Sequence, residues 1–348
     1  MSLKRHISVS SCLRDSVRNS GRKSVKELKP VLSLIILLPF LLVPFSCSEH
    51  HAGKLASGSN QAQQDELSGV PSFTDNDNSL VVIQKPFTRI ISLYAAHVEN
   101  LFAIGAGSAV IGIPRGSDYP PEALALQTFD YNGDPEYVIA AEPDLVLIRP
   151  FVRRNSPDYV TEIEKAGIPV VSLYPESFED FDTYILRLGL LTGKLPEAEN
   201  RLSAFHRELA EIQKRVDGIQ DRKTVFFEST ENQIRTVTPD SLPAKAIEFA
   251  GGINAAPPLP PISPGSSIAR FGVEALLGIA DNIDVYIVQQ GAMNRTATIE
   301  SLRARPGFNA INAVEKGHVL FISEKLISSV TFRYVEGVRI LAEFLYPD

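Results

Sequence analysis

Short apolar runs alternate with stretches of helical periodicity from Leu80 onward. The first strand-like run, Arg89–Tyr94, is followed by a helical stretch, His97–Gly105, that ends in glycine, and a second apolar run covers Asp144–Pro150. Continuously apolar strands separated by helices are typical of a parallel sheet that helices cover on both faces. The pattern therefore predicts an α/β fold.

One long amphipathic helix interrupts this alternation at Pro196–Val216, with proline in its first turn, as helix starts prefer. Its apolar positions follow the i, i+3/i+4 spacing of one helix face: Leu202, Phe205, Leu209, Ile212 and Val216. At about 1.5 Å per residue the helix is long enough to span two domains. Because the alternation restarts after it, we predict two Rossmann-like lobes (73–195 and 218–348) joined by a connecting helix (196–217).

The N-terminus has the pattern of an export signal. Residues 1–30 carry eight Lys or Arg against two acidic residues, and the apolar run Val31–Phe45 follows directly. This run is short for a transmembrane helix but suits the apolar region of a signal peptide. Ser46 and Cys47 then resemble a lipobox, which predicts cleavage after residue 46 and lipidation of Cys47. The alternative is an uncleaved signal anchor; in both cases residues 48–348 lie outside the cytoplasmic membrane, on its periplasmic or cell-surface side.

The composition of the chain excludes some kinds of functional site and some kinds of partner. The only cysteines are Cys12 and Cys47, so the predicted lobes have no disulfide, thiolate metal site or cysteine nucleophile. The formal net charge is −7, and removing residues 1–46 makes the chain more acidic, which disfavours nucleic acid as a partner. Residues 47–72 are rich in Ser, Gly and Gln and predict a flexible tether, in which His50 and His51 are expected to be solvated.

Seven segments in sequence carry a resemblance to a known family. They are FTRIISLYAAHVENLFAIGAG, GSDYPPEA, DPEYVIAAEPDLVLI, GIPVVSLYPESFED, FAGGIN, RPGFNAINAVEKGHVLFIS and YVEGVRILAEFLYP. Together they resemble the periplasmic binding proteins that serve ABC importers for iron-siderophores and cobalamin, over about Asp75 to Asp348.

The resemblance implies a ligand cleft between two lobes, with walls built from loops at the carboxyl ends of strands. It also implies a function: a monomeric binding protein, without cofactor or catalysis, captures a metal chelate and delivers it to an ABC permease dimer with its ATPase. The chelate is a cobalamin or other corrinoid, or an iron-siderophore. Haem, bound by a protein of the same fold, remains an alternative.

By motif position the resemblance assigns permease docking to Glu136 and Glu274, whose carboxylates would meet permease arginines. Cleft candidates are residues in loops after strands, where arginines suit anionic groups and aromatic rings cover flat ligand faces. The candidates are Tyr94, His97, Arg115, Tyr119, Phe129, Tyr131, Arg149, Arg153, Glu231, Arg270, Met293, Arg295 and Arg333. His97 is either a polar contact at a helix start or an axial ligand to a bound metal.

The chain lacks the signatures of common enzymes. Gly105–Gly112 is glycine-rich but is not GxGxxG and follows a helix, and GxSxG, P-loop and HExxH motifs do not occur. An exported chelatase-like enzyme of the same bilobal form is the remaining enzyme alternative. A binder of free zinc or manganese needs several clustered ligands, and His97, His206 and His318 lie far apart in sequence.

Overall fold

The computed structural model describes residues 69–263 and 265–347. The predicted signal peptide (1–46), Cys47, His50, His51 and nearly all of the predicted tether lie outside these residues. No helix in the described part of the chain combines the length and apolar character that a membrane span requires.

An antiparallel hairpin of strands β1 (Ser72–Thr74) and β2 (Leu80–Val82) opens the described chain. Asp75 makes its turn rigid, because its Oδ1 accepts hydrogen bonds from the backbone of Asp77 (2.9 Å) and Ser79 (2.8 Å). Its Oδ2 accepts from the backbone of Ser172 at 3.0 Å, which fixes the hairpin to the edge of the following sheet.

A five-stranded parallel sheet forms the first lobe. Its strands are β3 (Ile90–Ser92), β4 (Val110–Pro114), β5 (Gln127–Phe129), β6 (Leu145–Ile148) and β7 (Val170–Ser172). The order is β5-β4-β3-β6-β7, so the chain reverses direction across the sheet between β3 and β6. Both of these strands are buried throughout, as their continuous apolar sequences predict.

The helices of this lobe cover the sheet and connect its strands. They are α1 (Ala95–Ala103), α2 (Glu136–Ala140), α3 (Pro150–Asn155), α4 (Pro157–Lys165) and α5 (Phe181–Thr192). The sequence pattern did not predict α5, whose apolar residues are spread around much of the helix instead of forming one clear face.

Helix α6 (Leu195–Val216) follows and buries the predicted apolar face, including Leu202, Phe205, Leu209 and Ile212. It lies close to α5 and to the last helix of the chain. The buried apolar face of α6 belongs to one continuous apolar core, which also includes residues of α5, of α12 and of both parallel sheets.

The second lobe contains a four-stranded parallel sheet and a small antiparallel pair. The strands are β8 (Thr224–Glu228), β9 (Arg235–Val237), β10 (Ile253–Asn254), β11 (Ile268–Arg270), β12 (Val285–Gln290) and β13 (Val319–Ser323). The sheet order is β10-β8-β12-β13, and β9 pairs with β11. The chain reverses direction across this sheet between β8 and β12.

The helices of the second lobe are α7 (Leu242–Phe249), α8 (Val273–Gly278), α9 (Ile299–Arg303), α10 (Asn312–Glu315), α11 (Glu324–Ile327) and α12 (Tyr334–Leu345). The proline-rich stretch between β10 and β11 predicted a loop, and most of its described residues are irregular. The architecture is therefore α/β with two lobes, and both sheets direct the carboxyl ends of their strands toward a common cleft.

A buried polar side chain connects the two lobes behind this cleft. Asn100 on α1 is fully buried; its Nδ2 donates to the carbonyl oxygen of Val330 at 2.8 Å and to the Tyr184 hydroxyl at 3.2 Å. Its Oδ1 accepts from the backbone N–H of Phe332 at 3.2 Å. Because every partner is buried, these bonds favour one fixed arrangement of the lobes.

Candidate ligand cleft

A cavity of about 560 Å³ lies between the lobes and is lined by both. Its walls are loops that follow β3, β6 and β7 in the first lobe and β8, β12 and β13 in the second. These loops include the points where each sheet reverses its strand order, which is where open α/β sheets bind ligands. A volume of this size is in the range of small-molecule sites.

The first-lobe wall is aromatic around one arginine. Tyr94 follows β3, Tyr174 follows β7, and Arg149 follows β6. The Arg149 guanidinium lies 4.9 Å from the ring centroid of Tyr94 and 4.7 Å from that of Phe151. Both tyrosines have a raised pKa because burial disfavours the phenolate, although the Arg149 charge opposes this. The tyrosines are therefore neutral hydrogen-bonding groups.

His97 lies beneath this wall, outside the cavity lining. Its Nε2 is 2.8 Å from the carbonyl oxygen of Leu173, and its ring packs edge-on against Tyr94 at 5.1 Å. Burial lowers its pKa to about 4, so the ring is neutral at physiological pH. In this position His97 supports Tyr94 and has no access to a bound metal.

The second-lobe wall combines neutral polar side chains with a few apolar ones and with two opposite charges, Glu324 and Lys325. Ser229, Gln289 and Ser328 line it, together with the thioether of Met293, which lies 3.1 Å from the Thr230 hydroxyl. Asn294 is buried beneath the Met293 loop and fixes it, because its Nδ2 donates to the carbonyl oxygen of Gln289 at 3.0 Å.

Charged groups bridge the lobes at one end of the cleft. Lys325 Nζ lies 2.7 Å from Asp118 Oδ2, and Arg333 Nη1 lies 3.6 Å from Glu99 Oε2. The Arg333 guanidinium also stacks on Tyr119, 4.2 Å from the ring centroid. Burial raises the pKa of Glu99 to about 7, even though Arg333 and Lys325 favour its charged form.

Five of the thirteen predicted cleft residues line the cavity: Tyr94, Arg115, Tyr131, Arg149 and Met293. The other eight do not: His97, Tyr119, Phe129, Arg153, Glu231, Arg270, Arg295 and Arg333. Phe129 packs in the first-lobe core, where a Cβ at position 112 would collide with its ring, so Gly112 is needed there. Tyr119 and Arg333 belong to the cross-lobe end of the cleft.

Besides Arg333, two of these eight residues have structural partners that occupy their charges. Arg153 Nε donates to Asp77 at 2.8 Å, and its Nη2 donates to Glu164 at 2.8 Å. Glu231 accepts from Arg305 at 3.1 Å, and Arg305 also bonds the fully buried Glu228. Charges satisfied in this way are not available to a ligand.

Five residues that line the cavity are not among the predicted cleft residues: Tyr174, Glu99, Gln289, Glu324 and Lys325. Tyr174 could have been found, because it ends the apolar, strand-like run IPVVSLY in the same way as Tyr94 ends RIISLY. Glu324 and Lys325 directly follow β13 and could have been found by the same rule.

Glu136 and Glu274 are exposed and lie in the first turns of α2 and α8. No metal-binding group of three or more His, Cys, Asp or Glu occurs among the described residues.

Comparisons of the sequence with protein families and with known proteins agree on the kind of protein to which the chain is similar. The family described as periplasmic binding protein matches residues 90–326. An uncharacterized ABC transporter substrate-binding lipoprotein, YvrC of Bacillus subtilis, is 28% identical over 279 residues, covering 79% of this chain and 85% of the relative. The vitamin B12-binding protein of Vibrio campbellii is 31% identical over 171 residues, covering 49% of this chain and 61% of the relative.

Among solved structures, a possible iron-binding periplasmic solute-binding protein from Staphylococcus epidermidis superposes with a TM-score of 0.66. It is 23% identical, and the match covers 75% of this chain and all of that one. This similarity supports the two-lobed fold.

Proposed function

The chain belongs to the periplasmic binding protein family, and from this premise we propose that it captures a metal chelate of low net charge, a corrinoid first of all, in the cleft between its lobes. Proteins of this family are binding proteins and not enzymes, and they deliver ligand to ABC transporter permeases. The observation that carries this proposal is the lining of the cleft: tyrosine rings surround Arg149 on one wall, and Ser229, Gln289 and Ser328 lie beside the oppositely charged Glu324 and Lys325 on the other.

The charges of the cleft favour a chelate of low net charge over a polyanion. Lys325 pairs with Asp118, and Arg333 pairs with Glu99 and Glu336. Arg115 is 80% exposed and faces Asp130 at 3.5 Å. Arg149 and Glu324 also line the cleft, one cation and one carboxylate, so a polyanion would not find several cations there. A ferric catecholate, which carries several negative charges, would lose its hydration without enough cations to replace it.

Corrinoids fit these walls because their flat macrocycle can lie against Tyr94, Tyr131 and Tyr174, while their peripheral amides meet Ser229 and Gln289. The resemblance to the vitamin B12-binding protein of Vibrio campbellii supports the same class. A neutral ferric hydroxamate satisfies the charge argument equally and is the second candidate.

Equilibrium dialysis against a chelate panel tests this proposal. The panel is a corrinoid, a ferric hydroxamate, a ferric catecholate and haem, with the full chain purified from bacterial membranes in detergent. We expect one site per chain and the tightest binding for the corrinoid. Tightest binding of the catecholate would overturn the charge argument, and binding of none of the four would overturn the function.

We further propose that Glu136 and Glu274 dock on arginines of the permease. Both carboxylates are exposed, so replacing them by alanine should leave ligand affinity unchanged while uptake in cells collapses. Truncating one side of an interfacial charge pair costs about 2–5 kcal/mol, largely because the partner charge is left unpaired. Alanine at the exposed helix residues Glu162 and Glu199 provides the control. Normal uptake by the docking variant would refute this assignment.

The localisation proposed with this function is the outer side of the cytoplasmic membrane, with a lipid anchor at Cys47. Mass spectrometry of the membrane-derived protein should find a chain that begins at a diacylglyceryl Cys47. A chain that retains residues 1–46 would refute cleavage and leave a signal anchor as the means of attachment.

A further inference from the structure

A side compartment of about 190 Å³ adjoins the cleft and shares Arg149 and Tyr174 with it. Its remaining walls come from Phe151 and Arg154 of α3, from Glu176, and from Gly265 of the loop that the second lobe extends over α3. The compartment is thus open to the same ligand as the cleft and is built by both lobes.

Arg149 lies where the compartment joins the cleft, because its guanidinium is between an aromatic ring of the cleft and an aromatic ring of the compartment. The ring of Tyr94 is on the cleft side at 4.9 Å, and that of Phe151 is on the compartment side at 4.7 Å. The residue precedes Pro150 and has the extended backbone that proline imposes, with φ −108° and ψ 159°. This backbone carries the side chain away from the helix and between the two rings.

The compartment carries a cationic surplus. Arg149 and Arg154 both line it and neither forms an ion pair with another described residue, while Glu176 is its single carboxylate. Arg153, on the same helix, is in contrast paired with Asp77 and Glu164. Arg149, directly before α3, and Arg154, on α3, therefore place two unpaired guanidinium groups at this compartment, whereas the charge of Arg153 is neutralised outside it.

We propose that this compartment is a subsite for an anionic arm of the bound chelate, a phosphodiester or a carboxylate, which Arg149 and Arg154 hold while the macrocycle fills the main cleft. The inference rests on the proposed function. Guanidinium groups recognise both anions through charge-assisted, paired N–H···O bonds. The subsite gives the protein a means to distinguish chelates that share a macrocycle and differ in the arm.

Two corrinoids test the subsite, one with its phosphodiester-linked nucleotide arm and one from which the arm has been removed. The full chain is titrated with each by equilibrium dialysis, as wild type, as Arg154→Gln and as Arg115→Gln. Arg154 lines the compartment and not the main cleft, whereas Arg115 lines the main cleft and not the compartment. Both side chains are exposed, so neither substitution threatens the fold.

The wild type should bind the armed corrinoid about tenfold more tightly than the armless one, as a few charge-assisted bonds at a partly exposed site allow. Arg154→Gln should remove most of this preference by weakening only the armed ligand, whereas Arg115→Gln should preserve it. Inorganic phosphate at millimolar concentration should compete with the arm and not with the armless ligand.

Equal affinity of the wild type for both corrinoids would overturn the subsite and leave the proposed function standing. A uniform loss for both ligands in Arg154→Gln would do the same, because it would assign Arg154 to the main cleft. Failure of the wild type to bind either corrinoid or any other metal chelate would overturn the proposed function, and the subsite with it.

Discussion

Replacing Asn100 by alanine should destabilise the protein strongly, although this residue touches neither ligand nor solvent. The substitution removes three hydrogen bonds and leaves the Val330 carbonyl, the Phe332 N–H and the Tyr184 hydroxyl without this partner. A buried polar group without its partner costs about 1–3 kcal/mol. Water that enters the vacated space recovers part of this, so we expect a loss of about 3 kcal/mol in the free energy of unfolding.

Urea unfolding followed by far-ultraviolet circular dichroism measures the loss. The midpoint should fall with little change in the slope, since the folded state remains compact. Asn155→Ala is the matched control, because it removes one exposed hydrogen bond within α3 and should cost less than about 0.5 kcal/mol. If Asn100→Ala is as stable as this control, Asn100 does not hold the lobes together.

Two further predictions concern the cross-lobe charges. The pKa of Glu99 is about 7 in the folded protein, against an ordinary value of 4.5. Between these two pH values the folded state binds more protons than the unfolded state. The free energy of unfolding of the wild type therefore falls as the pH rises through this window. Relative to wild type, Glu99→Gln should therefore gain about 2 kcal/mol in urea titrations between pH 5 and pH 8; a pH-independent difference would contradict the buried position of this carboxyl. Lys325→Ala breaks the bridge to Asp118 and should raise the ligand dissociation rate about two- to fivefold in stopped-flow measurements, as a partly exposed ion pair allows. The control is Lys165→Ala, which removes an ion pair within α4 and should leave the dissociation rate unchanged. Equal dissociation rates for Lys325→Ala and Lys165→Ala would show that the Lys325–Asp118 ion pair does not restrain the cleft.

Periodicity alone predicted the long helix and the two neighbouring strands β3 and β6 of the first sheet. Helix α6 begins one residue before the predicted Pro196 and ends at the predicted Val216, because its apolar stripe coincides with the face it buries. Strand β6 lies inside the predicted Asp144–Pro150, because a strand buried on both faces is apolar throughout.

Elements without their own pattern were missed. Helix α5 is surrounded by core on several sides, so both its buried residues and its half-buried Leu186 and Leu190 are apolar and no single stripe forms. Strands β9 and β11 have three residues each, too few for a period to appear. Their pairing depends on distant parts of the chain, which local sequence does not encode.

The sequence could predict which loops form the cavity, but not which side chains of those loops line it. The rule that ligands contact residues after parallel strands selected Tyr94 and Arg149, both of which line the cavity. It failed to separate Tyr94 from His97, three residues later, because the helix rotates the imidazole into the core. Phe129 ends β5 and points into the core, whereas Tyr131 lines the cavity from the loop that follows, where the alternation of the strand no longer fixes side-chain direction.

The central claim is that ligand binds between the lobes, against Tyr174. The chain has no tryptophan, so Tyr174→Trp provides a single indole in the cleft and Tyr137→Trp a single indole at an exposed position of α2. With saturating corrinoid, the indole at position 174 should become inaccessible to quenching by acrylamide, with one ligand bound per chain, while the indole at position 137 should stay accessible. If dialysis shows corrinoid bound and the indole at position 174 remains as accessible as before, the ligand binds elsewhere and the account is wrong.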